Sequence, residues 1–337
     1  MSTESEAAPA RQVLNGATMG TRWSAILAGP AARDLTEADL AGLRHLLQAA
    51  VDRVDGQMST WKPGSDLMRL NRAAVGSWQT VPAELFRVLQ AGLRIGRLSE
   101  GLFHIGVGDL VTAWGFGAAG RQPDTGRITA QLGHRLKPAH ELVEIDPGNL
   151  RVRRHAPMAL DLSGIAKGFA ADEMMRVLAG RGIADALVSL DGELVARGRR
   201  PDGTAWTVAV ERPEHDRRAP LGMIALQDGA VATSGDYRHW VEIGRARLSH
   251  TMDPRLGGPT KSRLASVSVV NPSCMEADGW ATALLVAGED AGPALARAQG
   301  LDALFLLREG ADIRQHRVGR VFDGPQPLIG AGAPAGA

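Results

Sequence analysis

A chain of 337 residues can bury a real core, as one large domain or as two ordinary ones. Its 38 basic and 37 acidic side chains leave a formal net charge of +1, which excludes a global field for nucleic acid or an anionic membrane and makes a small molecule or a protein the default partner. The single cysteine, Cys274, excludes an internal disulfide and a multi-cysteine metal site, and no window approaches the ~18 continuous apolar residues of a membrane span.

The first ten residues are polar and acidic, without the basic start and apolar stretch of a secretory signal, and point to the cytoplasm. Residues 1–11 read as a disordered tail and residues 329–337 as a flexible one. Residues 12–328 contain no long linker and no internal repeat, and are expected to form one domain.

In chain order, residues 13–27 alternate in their second half as a strand does, and Gly20 in Met19-Gly20-Thr21 lets backbone approach a ligand. Thr36-Glu37-Ala38-Asp39 resembles a capping box, and Leu40, Leu43, Leu47, Val51 and Val54 keep the spacing of a core-facing helix. Residues 59–66, Ser-Thr-Trp-Lys-Pro-Gly-Ser-Asp, read as a loop from which Trp61 either packs or stacks on a flat ring. Pro82 opens a second helix, with Leu85, Val88, Leu89 and Leu93 on one side, that ends near Gly101.

Residues 103–117 are rich in glycine and aromatics. Gly115, Gly117 and Gly120 fit the dinucleotide spacing G-x-G-x-x-G, but that fingerprint needs a strand before it and a helix after it. Residues 121–126 read as a loop instead, so a Rossmann site is rejected. Residues 142–145 and 150–152 then suggest a hairpin around Asp146-Pro147-Gly148-Asn149.

The stretch 159–198 concentrates polar groups where a turn feeds a helix. Asp161 and Lys167 flank Ser163-Gly164, and the helix carries Ala166, Ala170, Met174, Val177 and Leu178 on one face before closing at Gly180 and Gly182. The unpaired N–H groups and positive dipole end of such a helix suit a phosphate. The plainer alternatives are that Asp161 caps the turn and Lys167 is a solvated ammonium. A strand follows at 185–190 and runs into the turn Asp191-Gly192-Glu193.

The remainder reads mainly as strands, at 206–210, 222–226, 229–233, 240–243 and 266–270, separated by polar loops at 234–237 and 249–255, with a last helix at 277–287. Helices first and strands clustered later favour an α+β fold over a regular alternation. On the last helix Asp278 and Thr282 are four apart and face one side. With a turn carbonyl they make the hard oxygen set that Mg²⁺ or Ca²⁺ accepts. On spacing alone the weightier reading is structural, a carboxylate near its own helix N-terminus and a hydroxyl bonded back one turn. His250 and Asp253 lie in a loop, where a histidine either takes a proton near neutral pH or is simply solvated. There is no G-x-x-x-x-G-K-[ST] loop, no G-x-S-x-G elbow and no H-E-x-x-H helix, and Ser163 to Lys167 is one residue too long for S-x-x-K.

Together these segments resemble the ApbE family, the FAD:protein FMN transferases. The likeness rests on seven segments in order: Met19-Gly20-Thr21, residues 59–66 with Leu70-Asn71, Trp114-Gly115-Phe116, residues 161–168, residues 233–237, residues 250–255 and residues 277–284. It implies a single α+β domain with a mainly antiparallel sheet and flanking helices. It also implies an enzyme that binds FAD and Mg²⁺, cleaves the pyrophosphate, transfers the FMN phosphoryl to a threonine or serine hydroxyl of an acceptor protein, and releases AMP. The same resemblance makes Asp278, Thr282 and the Gly164 carbonyl the metal ligands, and places Met19, Trp61, Ala113, Trp114, Gly115, Asp161, Lys167 and Met252 around FAD. Lys167 and His250 are then the catalytic pair, with His250 as base for the acceptor hydroxyl. A FAD pyrophosphatase and a non-catalytic FAD carrier are the alternatives.

Three positions depart from the family pattern. Phe103-His104-Ile105-Gly106 stands for the usual Phe-Asp-Pro-Thr, Asp191-Gly192-Glu193 for a Gly-Gly-Asp turn, and Leu256 for the threonine after Asp-Pro-Arg.

Overall fold

Eight strands that follow one another in the chain also lie side by side in one sheet, because each is joined antiparallel to its predecessor. They are β1 (Gln12–Thr18), β2 (Thr21–Ala28), β3 (Asp185–Leu190), β4 (Glu193–Arg197), β5 (Gly229–Gly235), β6 (Leu264–Asn271), β7 (Asp302–Glu309) and β8 (Asp312–Val318). The computed structural model describes residues 11–118, 122–213, 219–236, 240–243, 246–310 and 312–323. Apart from Arg11, the two expected tails lie outside them.

The α+β fold with a mainly antiparallel sheet is as expected, and two β-turns explain much of its order. The second half of residues 13–27 is a strand as expected, and the first half is another, because Met19 (φ 48) and Gly20 (φ 72) make the positive-φ pair of a two-residue hairpin and set Thr18 opposite Thr21. Between β3 and β4 the two-residue turn Asp191-Gly192, in which Asp191 alone takes a positive φ (60), sets Leu190 opposite Glu193.

The long insertion between β2 and β3 supplies most of the helices. These include α1 (Glu37–Met58), whose Thr36–Asp39 capping box is formed as expected, α2 (Ala83–Leu98) and α3 (Ala166–Gly180). Later comes α4 (Cys274–Ala298). Leu47, Val51, Leu85, Leu89, Ala170, Met174 and Leu284 are buried in one cluster on this helical face of the sheet. The opposite face is covered by the hairpin of Trp206–Glu211 and Pro220–Leu226, whose Val208, Val210 and Ile224 pack with Val231, Leu304 and Leu306.

Several elements differ from the expectation. The last helix was expected at 277–287 but begins at Cys274, capped by Ser273, and continues to Ala298 through a break at Gly288 (φ 82). Strands β7 and β8 were not anticipated. The run Ala303–Leu307 is buried throughout, so it lacks the alternation of a half-exposed strand, and β8 is a polar edge strand. The loop at 59–66 gives way to a short helix, Asp66–Arg72, capped by Ser65. The loop at 121–126 likewise leads into a helix at Thr125–Gln131, capped by Asp124. Before Gly115 stands another short helix, Gly108–Ala113, not a strand, which accords with rejecting a Rossmann turn; Gly120 is outside the described residues. No helix among the described residues is long and apolar enough to cross a membrane.

The first turns of α3 and α4 cross antiparallel and very close. A Cβ on Gly168 would meet Cys274 O at 2.3 Å and Asp278 Cβ at 2.8 Å, so only glycine permits the approach. Asp278 of α4 accepts the Gly168 N–H at 3.0 Å, and Asp172 of α3 accepts from Ser273 Oγ, Cys274 N and Met275 N at 2.8, 2.9 and 3.0 Å. Each helix thus caps the other. Gly168→Ala is expected to destabilise the protein by about 1–3 kcal/mol through overpacking, more than the roughly 1 kcal/mol alanine gains in helix propensity. Urea unfolding checks this; an equal or raised midpoint would refute the close-contact argument.

Candidate active site

A cavity of about 690 Å³ opens where the β3–β4 and β1–β2 turns, the start of α3 and the loop after residue 249 converge. That volume falls in the range of small-molecule sites. At its foot, Asp278 and Thr282 of α4 both line the cavity, and Thr282 packs on Gly164: a Cβ there would lie 2.9 Å from Thr282 Oγ1. Glycine therefore brings the turn backbone against the hydroxyl. Thr282 Oγ1 pairs with Ser234 Oγ of β5 at 3.0 Å, and Asp278 reaches across to α3, so neither serves its own helix as the plainer reading held.

Asp161 both lines the cavity and caps the turn: its Oδ1 accepts the Ser163 N–H at 2.8 Å, while its own N–H donates to Ile105 O at 2.7 Å. The start of α3 is less open than its sequence suggests. The Ala166 N–H is taken by Leu162 O at 2.9 Å and the Gly168 N–H by Asp278. The N-terminal anion cradle expected there is thus largely filled from inside the protein.

Lys167 is no solvated ammonium. Its Nζ lies 3.1 Å from Glu193 Oε1 and 3.3 Å from Asp191 Oδ2. Burial pulls its pKa down, but the charges of Glu193, Asp278 and Asp191 outweigh that and raise it above its ordinary value. Asp278 is pushed up to about 8, first by burial and then by Glu193, against the opposing pull of Lys167 and the Gly168 N–H. Burial also raises the Glu193 carboxyl, again against Lys167. Three carboxylates around one lysine leave the foot of the cavity short of positive charge. Among the described residues no group of three or more His, Cys, Asp or Glu side chains is arranged to hold a metal, so a cation here must draw on a hydroxyl and a backbone oxygen as well.

His250 and Met252 reach the cavity on a loop held from behind. Asp253, 2% exposed, takes the Arg255 guanidinium at 2.7 Å, and Arg255 donates also to Val286 O of α4 at 2.8 Å. His250 stands edge-on to Phe116, with ring centroids 6.3 Å apart. Met19 lines the cavity from its turn, and Trp61 lines it while 58% exposed, free of core packing. Ala113, Trp114 and Gly115 are not brought to the lining. Trp114 is buried beneath Met252, Ala113 O accepts the Asp124 N–H, and Gly115 (φ 80) turns the chain. Glu193 and Ser234 were missed as site residues; the inward position of Glu193 follows only from the two-residue turn before it.

The site is a nucleotide-sized cleft with one acid-rich end, lined by the central strands of an antiparallel sheet and the turns beside them: that of a ligand-binding enzyme. The family model for the ApbE family matches residues 19–305. The chain is 36% identical over 312 residues to a FAD:protein FMN transferase of Klebsiella pneumoniae, covering 91% of this chain and 87% of that one. Its fold superposes on the apo flavinyl transferase ApbE of Pseudomonas stutzeri with a TM-score of 0.81 at 33% identity, covering 96% and 98% of the two chains. The flavin transferase ApbE of Vibrio cholerae gives 0.80 at 31%, covering 92% and 97%. The chain belongs to the ApbE family.

His104, one of the departures from the family pattern, forms part of the cavity wall. A carbonyl only accepts and an amide N–H only donates, so its Nε2–H donates to Lys137 O at 2.9 Å and its Nδ1 accepts the Gly106 N–H at 3.0 Å. Burial holds its pKa below the ordinary 6.5, against the Lys137 carbonyl and with the His140 charge adding to the lowering. The unfolded chain then binds more protons as pH falls. Stability is expected to be intact above pH 6.5 and to fall below it, approaching about 1.4 kcal/mol per pH unit. His104→Asn, which keeps an acceptor for Gly106, should flatten that slope in urea melts between pH 7.5 and 5.5.

Proposed function

We propose that the foot of this cavity performs Mg²⁺-dependent transfer of the FMN phosphoryl of FAD to a threonine or serine hydroxyl of an acceptor protein, with AMP as leaving group. The enzyme class rests on the family and on relatives named FAD:protein FMN transferase over nearly the whole chain: this protein is a flavin transferase acting from FAD onto a protein. The observation that carries the finer reading is that Asp278, which is buried, and Thr282, one turn further along α4, both line the cavity, where Gly164 packs against the Thr282 hydroxyl.

That donor set fits Mg²⁺: carboxylate, hydroxyl and carbonyl are hard oxygens, and the charge deficit at the foot favours a cation. Asp278, Thr282 and the Gly164 carbonyl would hold the ion, whose chemistry is to withdraw electron density from the pyrophosphate. Lys167 neutralises charge that builds on the bridging oxygen as its bond to phosphorus lengthens. Met19, Trp61, Asp161 and Met252 hold and orient FAD, with the exposed Trp61 ring offering a stacking face. His250 takes the acceptor hydroxyl proton while that oxygen forms its bond to the FMN-side phosphorus and the bond to AMP breaks.

The test is incubation with FAD, Mg²⁺ and candidate acceptor domains. Covalent flavin on the acceptor with stoichiometric AMP is the expected result. AMP with free FMN and no adduct would establish hydrolysis instead, and bound FAD with no AMP a carrier. Asp278→Ala is expected to abolish metal-dependent turnover; unchanged activity at low Mg²⁺ would refute its role. His250→Ala is expected to slow transfer by roughly 10²-fold or more while FAD affinity changes little. Equal losses in both would remove His250 from the chemistry.

A further inference from the structure

Asp191 occupies a position that glycine would fill without strain, at φ 60 in the two-residue turn between β3 and β4. Its carboxylate lines the cavity and lies 3.3 Å from Lys167 Nζ. Among the described lining residues Lys167 is the one lysine or arginine, and it already has a partner in Glu193 at 3.1 Å. The two carboxylates differ in depth: the Glu193 side chain is 3% exposed and that of Asp191 is 23%. Glu193 is a fixed counter-charge, while Asp191 holds Lys167 from the open side.

We propose that Asp191 is a positioning residue that competes with the substrate's phosphates for Lys167, weakening FAD binding and hastening departure of AMP. The proposal rests on the reading above that Lys167 faces the pyrophosphate. A phosphate entering the foot of the cavity meets a lysine clamped on two sides and displaces the solvent-facing carboxylate first. When the phosphate leaves, Asp191 re-forms the pair, and AMP finds its cation taken. The Lys167–Asp191 pair is partly exposed, so opening it costs less than opening the more deeply buried Lys167–Glu193 pair, and the device tunes affinity without closing the site.

The test compares the natural protein with Asp191→Asn and Asp191→Gly, titrating FAD by flavin fluorescence and AMP by competition, with steady-state transfer alongside. Asparagine removes the charge and keeps the shape; glycine also relieves the turn. Both variants are expected to bind FAD and AMP roughly two- to fivefold more tightly, with a lower KM for FAD and stronger inhibition by AMP. Placed on a Lys167→Gln background, neither substitution should tighten binding, because the contested cation is gone.

Unchanged or weaker binding by both variants overturns the proposal. So does tightening by glycine alone, which would report strain, and so does a gain that persists without Lys167, which would report direct repulsion. If neither the natural protein nor the variants bind FAD at all, the flavin reading of the site falls and this inference with it. Binding by the natural protein with no gain in the variants sinks the inference alone.

Discussion

Everything at this site depends on the antiparallel crossing of α3 and α4 at Gly168 and Cys274. The absence of a side chain at Gly168 lets the helices approach until each supplies a carboxylate to the other's exposed N–H groups, Asp278 to Gly168 and Asp172 to the start of α4. The contact satisfies backbone donors that would otherwise be buried unpaired. It also fixes Asp278, Thr282, Gly164 and Lys167 within one small volume, since all four lie on these two helices or the turn before α3.

The same contact sets the electrostatics. Asp278 and Glu193 are buried where ionisation is unfavourable, and Lys167 is the compensating charge among the described residues lining the cavity. A protein built for stability alone would not place three carboxylates around one lysine. Positive charge close by offsets the burial that disfavours the ionised Asp278 and Glu193 carboxyls, which is the part Lys167 plays.

Support from outside the crossing is equally specific. Arg255 joins the His250 loop to Val286 near the end of the first part of α4, just ahead of the break at Gly288. The Thr282–Ser234 and Thr233–Ser268 hydroxyl pairs tie α4 and β6 to β5 along the cavity wall. The His250 loop and the Asp278 and Thr282 side chains are thereby referred to the same helix.

Local signals were legible in the sequence. The α1 capping box, the apolar stripes of α1, α2 and α3, the strand periodicity around residues 206–233 and the i,i+4 pairing of Asp278 with Thr282 each depend on neighbours a few residues apart. The ordered run of seven segments was enough to point to the family. Only tertiary structure decided the rest. Strands β7 and β8 escaped because one is buried on both faces and the other is a polar edge. The α3 N-terminus proved filled because its capping group comes from 110 residues away. Trp61 faces the cavity while Trp114 is buried behind Met252, a distinction two similar aromatic segments do not carry in themselves. Lys167 meets Asp191 and Glu193 because a positive-φ turn folds them onto the first turn of α3. The sequence by itself determined which residue types and turns were available; packing across the chain determined which charges met.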